Sequence, residues 1–267
     1  MNTIGFIGTG NMGGALAQAT ARAVAADKIF LSDKNQDKAN SLAAVLDCNA
    51  VTVAEIAEKC HFIFLGVKPQ MMADLLGRIA PILHCRATPF TLVSMAAGIT
   101  TVDIQKMAGG NYPVIRIMPN IPVTTGSGVI LYCATDNVSE DDISAFRWAL
   151  NNAGLIDPLP EHLIDAGSAI SGCGPAFVSL FIEALADGAV SCGLTRQQAT
   201  AYACQTLMGT AKLIVESGMH PGELKDAVCS PGGSTIAGVT ALEQGNFRAS
   251  VIDAVTKAYK RTQELGK

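Results

Sequence analysis

The sequence predicts a doubly wound α/β domain over residues 1–160 followed by an all-helical domain over residues 161–267. Three observations carry this reading. Short apolar runs without internal polar alternation recur through the first part, separated by stretches with apolar residues at helical spacing, as in a parallel sheet covered on both faces. After "LIDPLPE" (155–161) such runs stop, and every remaining segment has a helical period. A glycine-rich turn stands between the first strand and the first helix.

Taken in order, "TIGFIG" (3–8) is a strand that stops at glycine, and "NMGGALAQATARAVA" (11–25) continues as a helix. The alternation repeats with a strand at "KIFLSD" (28–33), helices over 36–46 and 54–60, a strand at "HFIFLGV" (61–67) and a helix from Gln70. Strands follow at "FTLVSMA" (90–96), "VIRIMP" (114–119) and "GVILYCA" (128–134), with a short helix from Thr101 and a longer one over 139–152. The second part reads as six helical segments beginning near 162, 174, 195, 221, 234 and 246, with Thr195 and Gln198 forming a capping box and Gly193 and Gly245 standing where helices stop. No Pro/Ser-rich linker separates the two parts, so a rigid boundary near residue 160 is expected.

Composition narrows the function. Hydrophobic residues make up 49% and charged residues 16% of the 267, an apolar balance that calls for surface buried between subunits. The net charge of −4 offers no basic stripe, and no nucleic-acid partner is expected. Eight scattered cysteines without a C-x-x-C pair read as buried thiols of a reducing compartment. The N-terminus shows no basic, cleavable leader, and no apolar run is expected to reach the roughly 18 to 20 residues of a membrane span. A cytoplasmic protein without a membrane partner is expected.

Gly8, Gly10 and Gly13 in "GTGNMG" match G-x-G-x-x-G at a strand-to-helix turn, the Rossmann-like arrangement in which backbone approaches a dinucleotide pyrophosphate. Asp33 ends the second strand, where a carboxylate accepts from a ribose 2′-hydroxyl and favours NAD. Its neighbours Ser32 and Lys34 suit the 2′-phosphate of NADP, so cofactor choice stays open here. "GVKPQ" (66–70), "SMAAG" (94–98) and "RIMPN" (116–120) each close a strand at the edge where open α/β sheets bind ligands. Lys68 reads as cofactor-lining and not catalytic. There is no clustered histidine, P-loop, nucleophile elbow or H-E-x-x-H, so metal-dependent and hydrolytic readings fall away. The remaining stretch, "SPGGST" (230–235), has two readings: a well-made turn with Ser234 or Thr235 capping the next helix, or a loop whose free N–H groups hold an anion.

Five motifs in order, "FIGTGNMG", "VKPQ", "RIMPN-P", "ISGCGPAF" and "CSPGGST-AG", resemble the pyrroline-5-carboxylate reductases over essentially the whole chain. The resemblance implies NAD(P)H-dependent reduction of 1-pyrroline-5-carboxylate to L-proline, a Rossmann domain joined to a helical dimerisation domain, and homodimers often built into decamers. By resemblance the cofactor positions fall on Thr9, Asn11 and Met12 with Gly8 and Gly10, on Ser32, Asp33 and Lys34, on Val67 and Lys68, on Ala97 and Gly98, and on Asn120. Substrate positions fall on Glu161 and on Ser230, Gly232, Gly233, Ser234 and Thr235, with Thr235 as the catalytic residue beside the ring nitrogen. The family usually takes NADPH, so Asp33 is expected to weaken 2′-phosphate binding. Cys173 stands where the family's motif has serine, and "GGST" where it has "GGTT". Two rivals are a hydroxyacid dehydrogenase or imine reductase of the same architecture, and a non-catalytic dinucleotide sensor. The first calls for a lysine that "GPAFVSLFIEALADG" lacks, and the second needs no 230–235 loop.

Overall fold

The computed structural model describes residues 2–265. In chain order the first part holds β1 (Ile4–Ile7), α1 (Asn11–Thr20), β2 (Ile29–Ser32), α2 (Gln36–Leu46), β3 (Asn49–Ala50), α3 (Val53–Lys59) and β4 (Phe62–Leu65). It continues with α4 (Met72–Cys85), β5 (Thr91–Ser94), α5 (Thr101–Ala108), β6 (Val114–Pro119), β7 (Gly128–Ala134), α6 (Glu140–Ala149) and β8 (Gly154–Pro158). Six helices follow: α7 (Ile164–Ser171), α8 (Gly174–Ser191), α9 (Arg196–Ser217), α10 (Pro221–Ala227), α11 (Ser234–Gln244) and α12 (Phe247–Leu265).

The strands form one sheet of order β3-β2-β1-β4-β5-β6-β7-β8. Successive side chains of a strand point to opposite faces, and here both faces are apolar. Ile4, Phe6, Phe62, Phe64 and Val93 enter one buried cluster with Leu16 and Phe146, while Ile7, Ile63, Leu65 and Leu92 enter the other with Ile56 and Leu76. Phe6 stacks on Phe64 with ring centroids 4.5 Å apart. Burial on both sides is why these strands carry no polar alternation.

Two parts of the sheet depart from the expected pattern. β7 runs antiparallel to β6, because residues 120–127 between them are too few for the dozen or more that a parallel crossover needs. β3 and β8 were not expected as strands. β8 pairs only with β7, and an edge strand tolerates the Asp157 and Pro158 that disguise it.

The chain divides into two compact units, one reaching to Gly172 and including the end of α12 from Tyr259, the other Cys173–Ala258. By its contacts α7 joins the first unit, because it packs on β6 and β7. In the second unit α8 lies against α9, and Phe181 meets Phe247 at 5.5 Å. The expected capping box at Thr195 and Gln198 forms, and Gly193 takes φ +102° after α8. At the end of α11, in contrast, Gly245 has φ −77° and the left-handed residue is Asn246, a type that tolerates that conformation.

Among the described residues one helical stretch, 161–191, is long and apolar enough to cross a membrane, contrary to the expectation that no run reaches that length. It passes because α7 and α8 follow each other through a single break and their apolar residues add. All eight cysteines are free thiols, and burial pushes the Cys60 thiol up to about 12.

Candidate functional site

β1 lies between β2 and β4, and the connection leaving β1 leads toward β2 while that leaving β4 leads toward β5, so the two diverge at the C-terminal ends of these strands. The fingerprint turn closes that end under tight constraint. Gly8 takes φ +100°, and its N–H donates to the Ser32 carbonyl at 2.7 Å. A Cβ on Gly8 would stand 2.6 Å from the Gly66 oxygen, and one on Gly13 would stand 2.0 Å from the Gly8 oxygen. Those two glycines serve backbone packing. Gly10 differs: its φ is an ordinary −67° and a Cβ there meets nothing within 4 Å. Neither strain nor crowding requires glycine at this point, and the bare Cα leaves the backbone open to close approach.

Gly10 is also the N-cap of α1 and supplies no side-chain cap, so the N–H groups of Asn11, Met12 and Gly13 head a 10-residue helix with its positive dipole end open. This arrangement suits a pyrophosphate. A groove of about 590 Å³ runs beside it, lined by Thr9, Gly10, Asn11, Gln18, Lys38 and Leu42 among others.

The other expected cofactor residues stand as follows. Ser32 is buried at the end of β2, and Lys34 and Lys68 are exposed and form no ion pair among the described residues. Val67 follows the Gly66 that packs on Gly8, and its N lies 3.2 Å from where a Gly8 Cβ would stand. Ala97 is exposed and Gly98 takes φ +75° after β5. Asn120 is buried with its amide spent, donating to the Ser171 carbonyl at 2.9 Å and accepting from the Val129 N–H at 2.8 Å. Asp33, expected on the ribose, turns inward. Its Oδ2 accepts from the Thr9 N–H at 2.7 Å and the Thr9 hydroxyl at 3.2 Å, and its Oδ1 accepts from the Asn35 N–H at 2.9 Å.

Glu161, expected on the substrate, is likewise engaged within the first unit. Its Oε1 accepts from the Thr101 N–H at 2.8 Å and from Arg116 at 3.3 Å, and its Oε2 accepts from the Thr101 hydroxyl at 2.9 Å. Arg116, whose side chain is 5% exposed, also reaches Asp165 at 3.3 Å. One guanidinium thus ties β6 to α7 directly and, through Glu161, to the start of α5. Sequence reading missed this knot, although its signal was present: an arginine inside the apolar strand "VIRIMP" (114–119) must find carboxylates.

In the second unit the 230–235 loop is a tight turn in which Gly232 takes φ +68° and the Gly233 N–H donates to the Ser230 carbonyl at 3.0 Å. The N-cap of α11 is Gly233, with no side-chain bond. Ser234 and Thr235 are therefore the first two residues of the helix and not its caps, which corrects the capping reading. Both are exposed. As at the start of α1, no side chain caps the N–H groups of this helix start.

Comparison with known proteins agrees with this arrangement. Residues 161–265 match the family model for pyrroline-5-carboxylate reductase dimerisation, and residues 3–98 match that for NADP oxidoreductase, coenzyme F420-dependent. The pyrroline-5-carboxylate reductase of Escherichia coli is 38% identical over 267 residues, covering 99% of this chain and 98% of its own. That of Synechocystis sp. is 43% identical over 213 residues, covering 80% of this chain and 78% of its own. Among solved structures, the Coxiella burnetii enzyme superposes with a TM-score of 0.92 at 30% identity, covering 100% of this chain and 99% of its own. The Plasmodium falciparum reductase, solved with NADP bound, gives 0.87 at 32%, covering 100% and 98%. With full-length relatives well above 30% identity and both sheet and helical parts matched, the chain belongs to the pyrroline-5-carboxylate reductase family.

Proposed function

We propose that the protein reduces 1-pyrroline-5-carboxylate to L-proline with NADPH, the last step of proline biosynthesis. The observation that carries this is the open, uncapped start of α1 at Gly10, in a chain alike over its whole length to reductases of that name. NADP is favoured by the NADP oxidoreductase match and by the NADP found in the Plasmodium falciparum relative. The residues from Gly8 to Met12 would hold the pyrophosphate, with Ser32, Lys34, Val67, Lys68, Ala97 and Gly98 along the sheet's C-terminal edge.

The bound nicotinamide supplies a hydride. The chain's own task is to hold the acceptor. Ser230, Gly232, Ser234 and Thr235 present N–H groups and hydroxyls to the substrate carboxylate without a lysine or arginine, and Gly233, whose N–H is held by the Ser230 carbonyl, shapes the loop. The Thr235 hydroxyl orients the ring nitrogen, which already carries its proton as an iminium. When hydride adds at C5, the C=N electron pair moves to that nitrogen, and no further proton is needed for the amine to form. Glu161 enters this reading as a positioning residue, through Thr101 and Arg116.

The test is consumption of NADPH with 1-pyrroline-5-carboxylate as sole acceptor. Thr235→Ala should lower kcat/KM roughly ten- to a hundredfold, the loss of about 1.5–3 kcal/mol for one hydrogen bond to a charged group. Because Thr235 caps nothing, its melting temperature should stay near the wild type's. A destabilised variant with normal efficiency would refute the loop's role.

Val178, Leu180 and Leu185 on α8, Met208 on α9 and Ile252 on α12 are exposed in the single chain. Covering them with a second copy yields the homodimer, possibly a decamer, that the dimerisation match supports. Sedimentation at assay concentrations should give a dimer or a multiple of dimers, and a fully active monomer would overturn this. The same covering accounts for the apolar 161–191 stretch without a membrane, the acidic charge disfavours nucleic acid, and eight free thiols fit the cytoplasm.

A further inference from the structure

Asp33 occupies the position from which an acidic side chain usually meets a ribose hydroxyl, yet three of its roughly four acceptor sites are taken by Thr9 and Asn35. Gly8 is held by the neighbouring Ser32 carbonyl. Two successive N–H groups of the fingerprint turn, those of Gly8 and Thr9, are thus both fastened to the end of β2, immediately before Gly10 and the open N–H groups of α1. Resting on the cofactor reading above, we propose that Asp33 is a positioning residue: it acts through Thr9 to hold the dinucleotide loop in place, and it does not select against a 2′-phosphate.

The charge balance at the site is consistent with this. Burial works against the ionised carboxyl, but the N–H groups of Asn35 and Thr9, the Thr9 hydroxyl and the charge of Lys38 outweigh it, so the carboxyl sits below the usual aspartate range. Its negative charge is spent on donors of this chain, while Lys34 beside it is exposed and unpaired among the described residues. An acidic residue after β2 and an NADP-dependent enzyme are therefore compatible. The carboxylate is directed at the loop, and the lysines remain for the phosphate.

The experiment is titration calorimetry of the full-length protein with NADP⁺ and with NAD⁺, for wild type, Asp33→Ser, Asp33→Asn and Thr9→Val, together with amide exchange of residues 8–12. Asp33→Ser should weaken both dinucleotides roughly tenfold, the cost of a charge-assisted hydrogen bond, with their ratio held within about twofold, and should speed exchange at Thr9. Asp33→Asn, which keeps one acceptor oxygen, should recover part of the loss, and Thr9→Val should reproduce a smaller part of it; a fold defect alone would show no such grading. If Asp33→Ser instead tightens NADP⁺ while weakening NAD⁺ by a combined tenfold or more, the carboxylate reads the ribose and the inference is wrong. It is equally wrong if neither affinity changes. Wild type that binds neither dinucleotide would overturn the cofactor reading itself, a different result from either.

Discussion

Gly13→Ala is expected to destabilise the protein by about 3 kcal/mol, the upper end for forcing an atom into a packed site. The added Cβ would stand 2.0 Å from the Gly8 carbonyl oxygen, which is backbone and cannot swing away as a side chain would. Gly8 is itself fixed by its hydrogen bond to Ser32 and by contact with Gly66, so the strain spreads through the β1–α1 turn. A fall in melting temperature of roughly 6–12 °C follows from the usual entropy of unfolding, and dinucleotide binding should be lost with it. Gly10→Ala is the informative partner. With nothing within 4 Å of the new Cβ and an ordinary φ, it should melt like wild type and yet bind dinucleotide poorly. Equal melting temperatures for wild type and Gly13→Ala would show that the turn relaxes easily, and normal binding by Gly10→Ala would remove the close-approach argument.

Arg116→Ala is the second large effect. Its removal leaves Glu161 and Asp165, whose side chains are only 30% and 31% exposed, without their cation beneath the α5 and α7 starts. Breaking such a pair costs about 3 kcal/mol, most of it the burden of the abandoned carboxylates and not the worth of the bonds themselves. Arg116→Lys should recover only part, since one ammonium cannot span two carboxylates as the planar guanidinium does. Combining Arg116→Ala with Glu161→Ala should cost clearly less than the sum of the two, because the second change removes a charge the first has orphaned. Thermal or denaturant unfolding decides this, and a loss under about 1 kcal/mol for Arg116→Ala would mean that water repairs the site.

Between sequence and structure, the dividing line is the range of the interactions. Strand and helix identities were legible because they rest on local period: α2 was expected at 36–46 and β6 at 114–119, and both stand there. The fingerprint was legible because glycine at fixed offsets has few other uses. Pairing partners were not. Whether β7 runs with or against β6 depends on the length of the connection between them, and β8 carries Asp157 and Pro158 that only an edge position tolerates. Side-chain roles were legible least of all. Asp33 and Glu161 each present the residue type a ligand would want at the place expected of it, and the folded chain uses both on itself, through Thr9 in one case and through Thr101 and Arg116 in the other. Likewise the sequence offered Ser234 and Thr235 as caps, and the turn geometry moved the cap one residue earlier to Gly233, freeing both hydroxyls. The sequence by itself determined most of the elements, the glycine-rich turn and the family, because these are written in neighbouring residues. Only the tertiary structure decided which polar groups are spent internally and which remain for ligands, because Thr9 lies 24 residues from Asp33 and Thr101 lies 60 residues from Glu161, and packing chose both partners.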